Sequence, residues 1–174
     1  RPPRSTLFPY TTLFRSGHQD AIMRTDSVVS TIQNEGIILE KLSYQFANWN
    51  RGQAENKMTQ LINRYGTDIE LVISNNDEMA LGAAAAYDAL GYPQENRPVI
   101  LGIDGLDSAL EAVKKGYIQG TVYNDKEGQA SRISGLALDL FRGKILPDSD
   151  FENGRYIFLP YHKVTADNVD EFLK

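Results

Sequence analysis

Residues 69–83 read Ile69-Glu70-Leu71-Val72-Ile73-Ser74-Asn75-Asn76-Asp77-Glu78-Met79-Ala80-Leu81-Gly82-Ala83. The first five residues form a short, mostly aliphatic run of strand length. Asn75-Asn76-Asp77 then offers three residues that favour helix starts, because their side-chain oxygens accept from unpaired first-turn amides. An alanine-rich helix follows from Asp77 to Leu90, and Gly91 stops it. A buried strand passing directly into a helix is half of a βαβ unit, so this stretch predicts a parallel sheet covered by helices.

The same grammar extends outward in both directions. Ala21, Ile22, Val28, Val29 and Ile32 mark one helical face, closed by Gly36, and Ile37–Tyr44 is a predicted strand. Ala54, Met58, Leu61, Ile62 and Tyr65 form the next helical stripe before Gly66. Downstream, strands are predicted over Pro98–Ile103 and Ile118–Tyr123, with a helix over Asp107–Lys115 between them. A long helix over Lys126–Phe141, a short strand over Tyr156–Phe158 and a terminal helix over Ala166–Leu173 complete the alternation. The fold class is therefore α/β, three layers in αβα order, with no internal repeat.

The first sixteen residues stand apart. RPPRSTLFPYTTLFRS has no helical or strand period, and TLFPYTTLFRS resembles the in-frame translation of a sequencing-adapter oligonucleotide. A signal peptide needs an uninterrupted apolar stretch, which Pro9, Tyr10, Thr11 and Thr12 break. Residues 1–16 are read as a non-native leader, which makes the opening strand of the sheet a missing one. An unpaired sheet edge and a truncated start, without targeting signal or headpiece, are the expected consequences. Without the three leader arginines the chain carries 15 basic against 23 acidic residues. That balance argues against a phosphate-backbone partner, so no nucleic acid is expected. The absence of cysteine excludes disulfides and thiolate metal sites, and no apolar run reaches the ~18 residues of a membrane span.

In an open α/β sheet, ligands bind beyond the carboxyl ends of the strands. Asn75-Asn76-Asp77, Asp104 and Asn124-Asp125 all fall at such ends. Each doubles as a helix cap, and their shared position on one rim is what points to a site lined with hydrogen-bonding heads.

Asn76-Asp77-Glu78-Met79-Ala80-Leu81-Gly82-Ala83 resembles the helix-start motif of type I periplasmic binding proteins, which lactose-repressor-type effector domains share. Gly17-His18-Gln19-Asp20-Ala21, Arg24-Thr25, Trp49, Ile103-Asp104 and Gly120-Thr121-Val122-Tyr123-Asn124-Asp125 are similar to galactose/glucose-binding members. The resemblance runs from Gly17 to the C-terminus. It implies an incomplete type I fold: 17–123 in the C-terminal lobe, 124–160 in the N-terminal lobe, and 161–174 returning. It also implies sugar contacts at His18, Asp20, Arg24, Trp49, Asn76, Asp104 and Asn124. Their chemistry suits a hexose: carboxylates accept hydroxyl protons, an arginine fork donates, and an indole covers the C–H face. Gln19 replaces the usual proline after the histidine, and Asn50 replaces the usual aspartate after the tryptophan.

The implied function is the extracytoplasmic binding component of an ABC hexose importer, periplasmic or lipid-anchored, with the signal sequence upstream. Implied partners are the hexose, the membrane permease and a chemoreceptor, the parent being monomeric. Glu70 matches a calcium ligand of that family, but the oxygen-rich loop that completes the site precedes residue 17. No cofactor is therefore expected in this chain, and calcium only in the whole parent. The rival reading is a repressor effector domain, distinguished by an upstream helix-turn-helix. An enzyme is the third: Asp20 and Asp104 imitate a glycosidase carboxylate pair, yet no nucleophile elbow, phosphate loop or metal-ligand spacing occurs. The expectation is a non-enzymatic receptor whose fragment binds hexose weakly.

Overall fold

A computed structural model describes residues 7–145, 147 and 151–173. Residues 1–6 of the leader lie outside this description. Six strands form one sheet: β1 (Leu7–Phe14), β2 (Ile38–Phe46), β3 (Leu71–Ser74), β4 (Val99–Leu101), β5 (Gly120–Asn124) and β6 (Tyr161–Thr165). Their order is β2-β1-β3-β4-β5-β6. All neighbours are parallel except β5 and β6. The helices are α1 (Gln19–Asn34), α2 (Arg51–Tyr65), α3 (Asp77–Ala89), α4 (Asp107–Lys114) and α5 (Lys126–Phe141).

The sheet separates two cores. On one side Leu13, Val72 and Ile100 pack with Met58, Ile62, Met79, Tyr87 and Leu110 of α2, α3 and α4. On the other, Tyr10, Leu71 and Ile73 pack under Val28, Val29 and Ile32 of α1. This is the αβα layering that the alternation of segments implies. The predicted α1 face needs one revision: Ile22 is 51% exposed, while Ala21 and Thr25 are the buried residues. The α2–α3 contact is close because Gly82 lacks a side chain; a Cβ there would lie 2.2 Å from the Arg51 carbonyl oxygen.

The largest difference from the sequence expectation is the opening strand of the sheet. Leu7–Phe14 is a strand in the middle of the sheet, paired along β2 on one side and along β3 on the other. The sheet therefore has its opening strand, and β1 leaves no unpaired edge. Two features hide it in the sequence. A central parallel strand is buried on both faces and has no alternation to show, and Tyr10, Thr11, Thr12 and Leu13 are all buried. Pro9 argues against a central strand, but here it serves as an acceptor, its carbonyl receiving the Glu70 amide at 2.9 Å. The ladder also shifts register between Tyr10 and Thr11.

Three smaller differences follow from local partners. Tyr156–Phe158 is not a strand, since among the described residues no neighbour pairs with it beyond an isolated Glu152–Tyr156 bridge. The terminal helix shrinks to one 3₁₀ turn, Val169–Glu171. There the Asn168 side chain accepts from the Thr165 amide and donates to the Lys163 carbonyl, both at 2.9 Å, which draws the chain into a turn. Tyr161–Thr165, where no element is legible, adds to the sheet edge against β5. Helix α5 has the predicted bounds and no buried residue; Ile133 is 67% and Phe141 90% exposed.

If Leu7–Phe14 is structural, Leu13→Ala leaves a cavity at a fully buried position. It is expected to lower stability by about 2–5 kcal/mol in urea unfolding. A dispensable leader would show a change within about 0.5 kcal/mol.

Candidate functional site

The carboxyl ends of β1, β3, β4 and β5 share one rim of the sheet, and the polar clusters meet there. Helix α1 begins at Gln19, with His18 extended before it and making no side-chain cap. Asp20 lies in its first turn and is exposed, and Arg24 follows one turn later on the same face. The helix thus presents an acid and an arginine side by side to the rim.

Arg24 connects the site. Its Nη1 donates to the Asn75 carbonyl at 2.7 Å and lies 3.7 Å from Asp104 Oδ1. Its guanidinium carbon is 5.9 Å from the centre of the Trp49 ring. Trp49 in turn meets the His18 imidazole edge-on, with centroids 5.5 Å apart and planes at 87°. His18 Nδ1 is buried without a hydrogen-bond partner.

Trp49 and Asp104 hold unusual backbones, as does Asn48 beside Trp49. Asn48 and Trp49 have φ of +51° and +61° immediately before Asn50, which caps α2 by accepting from the Gln53 amide at 2.9 Å. Asp104 has φ of +129°. Such conformations cost about 1–3 kcal/mol each and concentrate at functional sites, where the surroundings enforce them.

The remaining expected residues occupy the same rim with less direct contact. Asn76 is nearly buried and caps α3, its Oδ1 accepting from the Met79 amide at 3.0 Å. Asn124 ends β5; its amide donates to the Asp104 carbonyl at 3.0 Å, and its Oδ1 accepts from Gln129 Nε2. Together, His18, Arg24, Trp49 and Asp104 form one contact chain, with Asp20 beside Arg24, Asn124 joined through the backbone, and Asn76 held by its cap.

A cleft of about 370 Å³ opens beside Arg24, lined by Asp20, Met23, Ile103, Val122 and Tyr161. Met23 and Tyr161 carry no signal in the sequence: Met23 sits between helix-face residues, and Tyr161 arrives from the C-terminal strand. Asn75 and Asp77 read in the sequence as rim residues that cap a helix, and Thr121 as part of a strand; the structure places all three in the hydrogen bonds beneath the rim. Asp77 is fully buried, accepting from Thr121 Oγ1 at 2.6 Å and from the Leu106 amide at 2.8 Å.

Burial dominates the electrostatics. It raises the Asp77 carboxyl above the usual range, although Thr121 and the Leu106 and Gly105 amides pull it down. Asp104 is pushed up to about 6, first by burial, with Arg24 opposing and the Asp77 charge adding to the rise. The site therefore holds a carboxylate short of compensating donors, suited to a ligand rich in hydroxyl protons.

Among the described residues no group of three or more His, Cys, Asp or Glu side chains gathers, and calcium requires about six to eight oxygens. Glu70 sits between β1 and β4, its amide donating to Pro9 and its carbonyl accepting from Val99, with Oε2 buried and unpartnered.

Comparisons with known proteins identify the family. The family model described as "Periplasmic binding protein domain" matches residues 14–145. The chain is 37% identical over 161 residues to the D-galactose/methyl-galactoside binding periplasmic protein of Haemophilus influenzae, covering 91% of this chain and 47% of that one. It is 37% identical over 158 residues to a putative rhizopine-binding protein of Rhizobium meliloti, covering 89% and 48%. Among solved structures, an ABC transporter solute binding protein from Bacillus halodurans with bound myo-inositol superposes with a TM-score of 0.81 at 31% identity, covering 96% of this chain and 54% of that one. The chain spans about half the length of the curated relatives it matches.

The raised Asp104 pKa has a consequence for stability. Between the unfolded value near 4 and the folded value of about 6, the folded chain binds the extra proton. Stability contributed by this group is therefore full below pH ~4 and falls as pH rises to ~6. Asp104→Asn is expected to remove that fall and to stabilise the chain at pH 7 by about 1–3 kcal/mol, read from urea unfolding at pH 4 and pH 7.

Proposed function

The chain belongs to the periplasmic binding protein family, and from that premise we propose that it is part of the extracytoplasmic, non-enzymatic receptor of a bacterial ABC importer for a hexose such as galactose or glucose. One observation carries the reading: an indole face and an under-compensated carboxylate, Trp49 and Asp104, flank the Arg24 guanidinium on one rim, beside the cleft that Arg24 and Asp20 line. A pyranose has complementary chemistry, with an apolar C–H face and a belt of hydroxyls that both donate and accept. Asp20, His18, Asn76 and Asn124 extend the belt of partners. Burying such groups costs free energy unless each finds its hydroxyl, and this rejects ligands that lack one.

A cyclitol meets the same requirements. The Bacillus halodurans structure holds myo-inositol, and the Rhizobium meliloti relative is named for rhizopine. The ligand class is therefore a ring polyol, with the hexose favoured by the galactoside-binding relative.

The lobe division is part of the proposal. Residues 17–123 and 161–174 form one lobe, and 124–160 reach into a second lobe supplied by the rest of the parent. The exposed stripe of α5 supports this reading, as does the apolar hollow between α5 and residues 151–161, lined by Ile133, Leu136, Phe151, Ile157 and Phe158. A soluble chain leaves apolar surface of that extent open where a partner covers it. In the whole parent, calcium would bring its other ligands to Glu70, whose buried unpartnered oxygen is compatible with that role. A membrane permease, and a chemoreceptor where the organism has one, would read the closed two-lobe form.

With one lobe the affinity is expected to be weak, with Kd on the order of millimolar, equivalent to about −4 kcal/mol. NMR titration with galactose, glucose and myo-inositol tests this. Saturable shifts at the Trp49 indole N–H, Arg24 and Asp104 are expected, and Arg24→Met should abolish them. No shift at those positions up to roughly tenfold above that Kd would remove the receptor reading.

A further inference from the structure

Arg24 and Asp104 carry opposite charges and face each other, yet their nearest atoms are 3.7 Å apart. An unrestrained arginine–carboxylate pair closes to about 2.7–2.9 Å, often through two parallel hydrogen bonds. Here each partner is held back by a different buried residue.

On the arginine side, Nη1 gives its short bond to the Asn75 carbonyl at 2.7 Å. Asn75 is itself immobilised. It is fully buried, its amide donates to the Leu13 carbonyl at 3.1 Å, and Nδ2 donates to the Ala21 carbonyl at 3.1 Å and to Thr25 Oγ1 at 2.9 Å. The same residue thus anchors helix α1 and receives the guanidinium that α1 carries.

On the acid side, the loop after β4 is pinned from beneath. The Asp77 amide donates to the Ile103 carbonyl at 2.8 Å, and its carboxylate receives Leu106 at 2.8 Å together with the Gly105 amide. Thr121 fixes the other oxygen from β5 at 2.6 Å. Between these pins Asp104 keeps its φ of +129°, a backbone that a non-glycine residue abandons once released. Close packing locks the loop further: a Cβ on Gly105 would come within 2.4 Å of the Tyr123 ring.

We propose that Asn75 and Asp77 are positioning residues that hold Arg24 and Asp104 apart, keeping open a gap in which a ligand hydroxyl donates to the carboxylate and accepts from the guanidinium. The proposal deepens the sugar-receptor reading and rests on it. A closed pair would satisfy itself, and the ligand would have to break it before binding. The groups that face Asp104 are Arg24 and Asp77, so both the clamp and the gap can be read from its titration.

The test is a double-mutant cycle on the ligand-free full chain, with the Asp104 pKa followed by carboxyl ¹³C NMR in the wild type, Arg24→Met, Asp77→Asn and the double variant. The rise in Asp104 pKa on removing Arg24 measures how tightly the pair interacts, and the cycle subtracts the charge of Asp77 itself. That rise is expected to be larger in the Asp77→Asn background by at least about one pH unit, a tenfold stronger pairing. An equal or smaller rise overturns the proposal. Should Asp77→Asn fail to fold by circular dichroism, Thr121→Val enters the same cycle with the same two outcomes. Galactose titration of the same samples separates the two ideas: a wild type without sugar response removes the receptor reading and leaves the measured pairing untouched.

Discussion

The rim of this sheet depends on one buried carboxylate. Asp77 stands at the first position of α3, fully enclosed, and bonds to β5 through Thr121 and to the loop after β4 through Leu106. A buried charge without such partners costs several kcal/mol. The two segments that supply them are therefore held against α3 in one arrangement, for any displacement leaves the carboxylate unpaired. Gly102 is part of the same constraint, because a Cβ there would meet Asp77 Oδ1 at 2.2 Å. Strand β4 is only three residues long and its ladder to β5 is a single register pair. Main-chain bonds carry the pairing on past β4, the Gly102 and Asp104 amides donating to the Gly120 and Val122 carbonyls at 3.0 and 2.9 Å, and the Asp77 side chain reinforces that seam from beneath.

How much of this was legible in the sequence depends on whether a signal was local. The β3–α3 unit was, since an aliphatic run, an asparagine cap and alanine repeats each favour the same outcome at neighbouring positions. Strand β1 was not. Thr11 and Thr12 are buried in the centre of the sheet, and their place there comes from main-chain bonds to β2 and β3, which any side chain permits. Pro9 also hid the strand, because its lost donor matters only where an acceptor waits for it. β6 was missed for a related reason: only Val164 of its five residues is buried, so it has too little apolar pattern to register.

The candidate site divides in the same way. Residues whose chemistry is visible in their type, such as Trp49, Arg24 and Asp104, were identifiable as groups of interest before any geometry was known. What no spacing reveals is the order of contacts among them. Arg24 spends its short hydrogen bond on a main-chain carbonyl, not on the nearby acid. Asn75 and Asp77 read as capping residues, and only Asn76 between them is the α3 cap; its neighbours point into the structure and tie α1 and the β4 loop to the same turn. Three consecutive polar residues thus serve three different segments.

An open rim of this kind sets a limit on what the groups can do. Arg24 and Asp104 remain partly in contact with solvent, where an exposed pair or hydrogen bond contributes about 0–1 kcal/mol. Yet burial has already gone far enough to raise the Asp104 pKa, so the chain bears part of the desolvation cost before any ligand arrives. That cost is recovered only when hydroxyls replace the missing water and a second surface excludes the rest, since the same contacts strengthen as the local dielectric falls. On the proposed reading, a half-enclosed carboxylate of this kind gains most when a second surface closes over it and its hydroxyl partners.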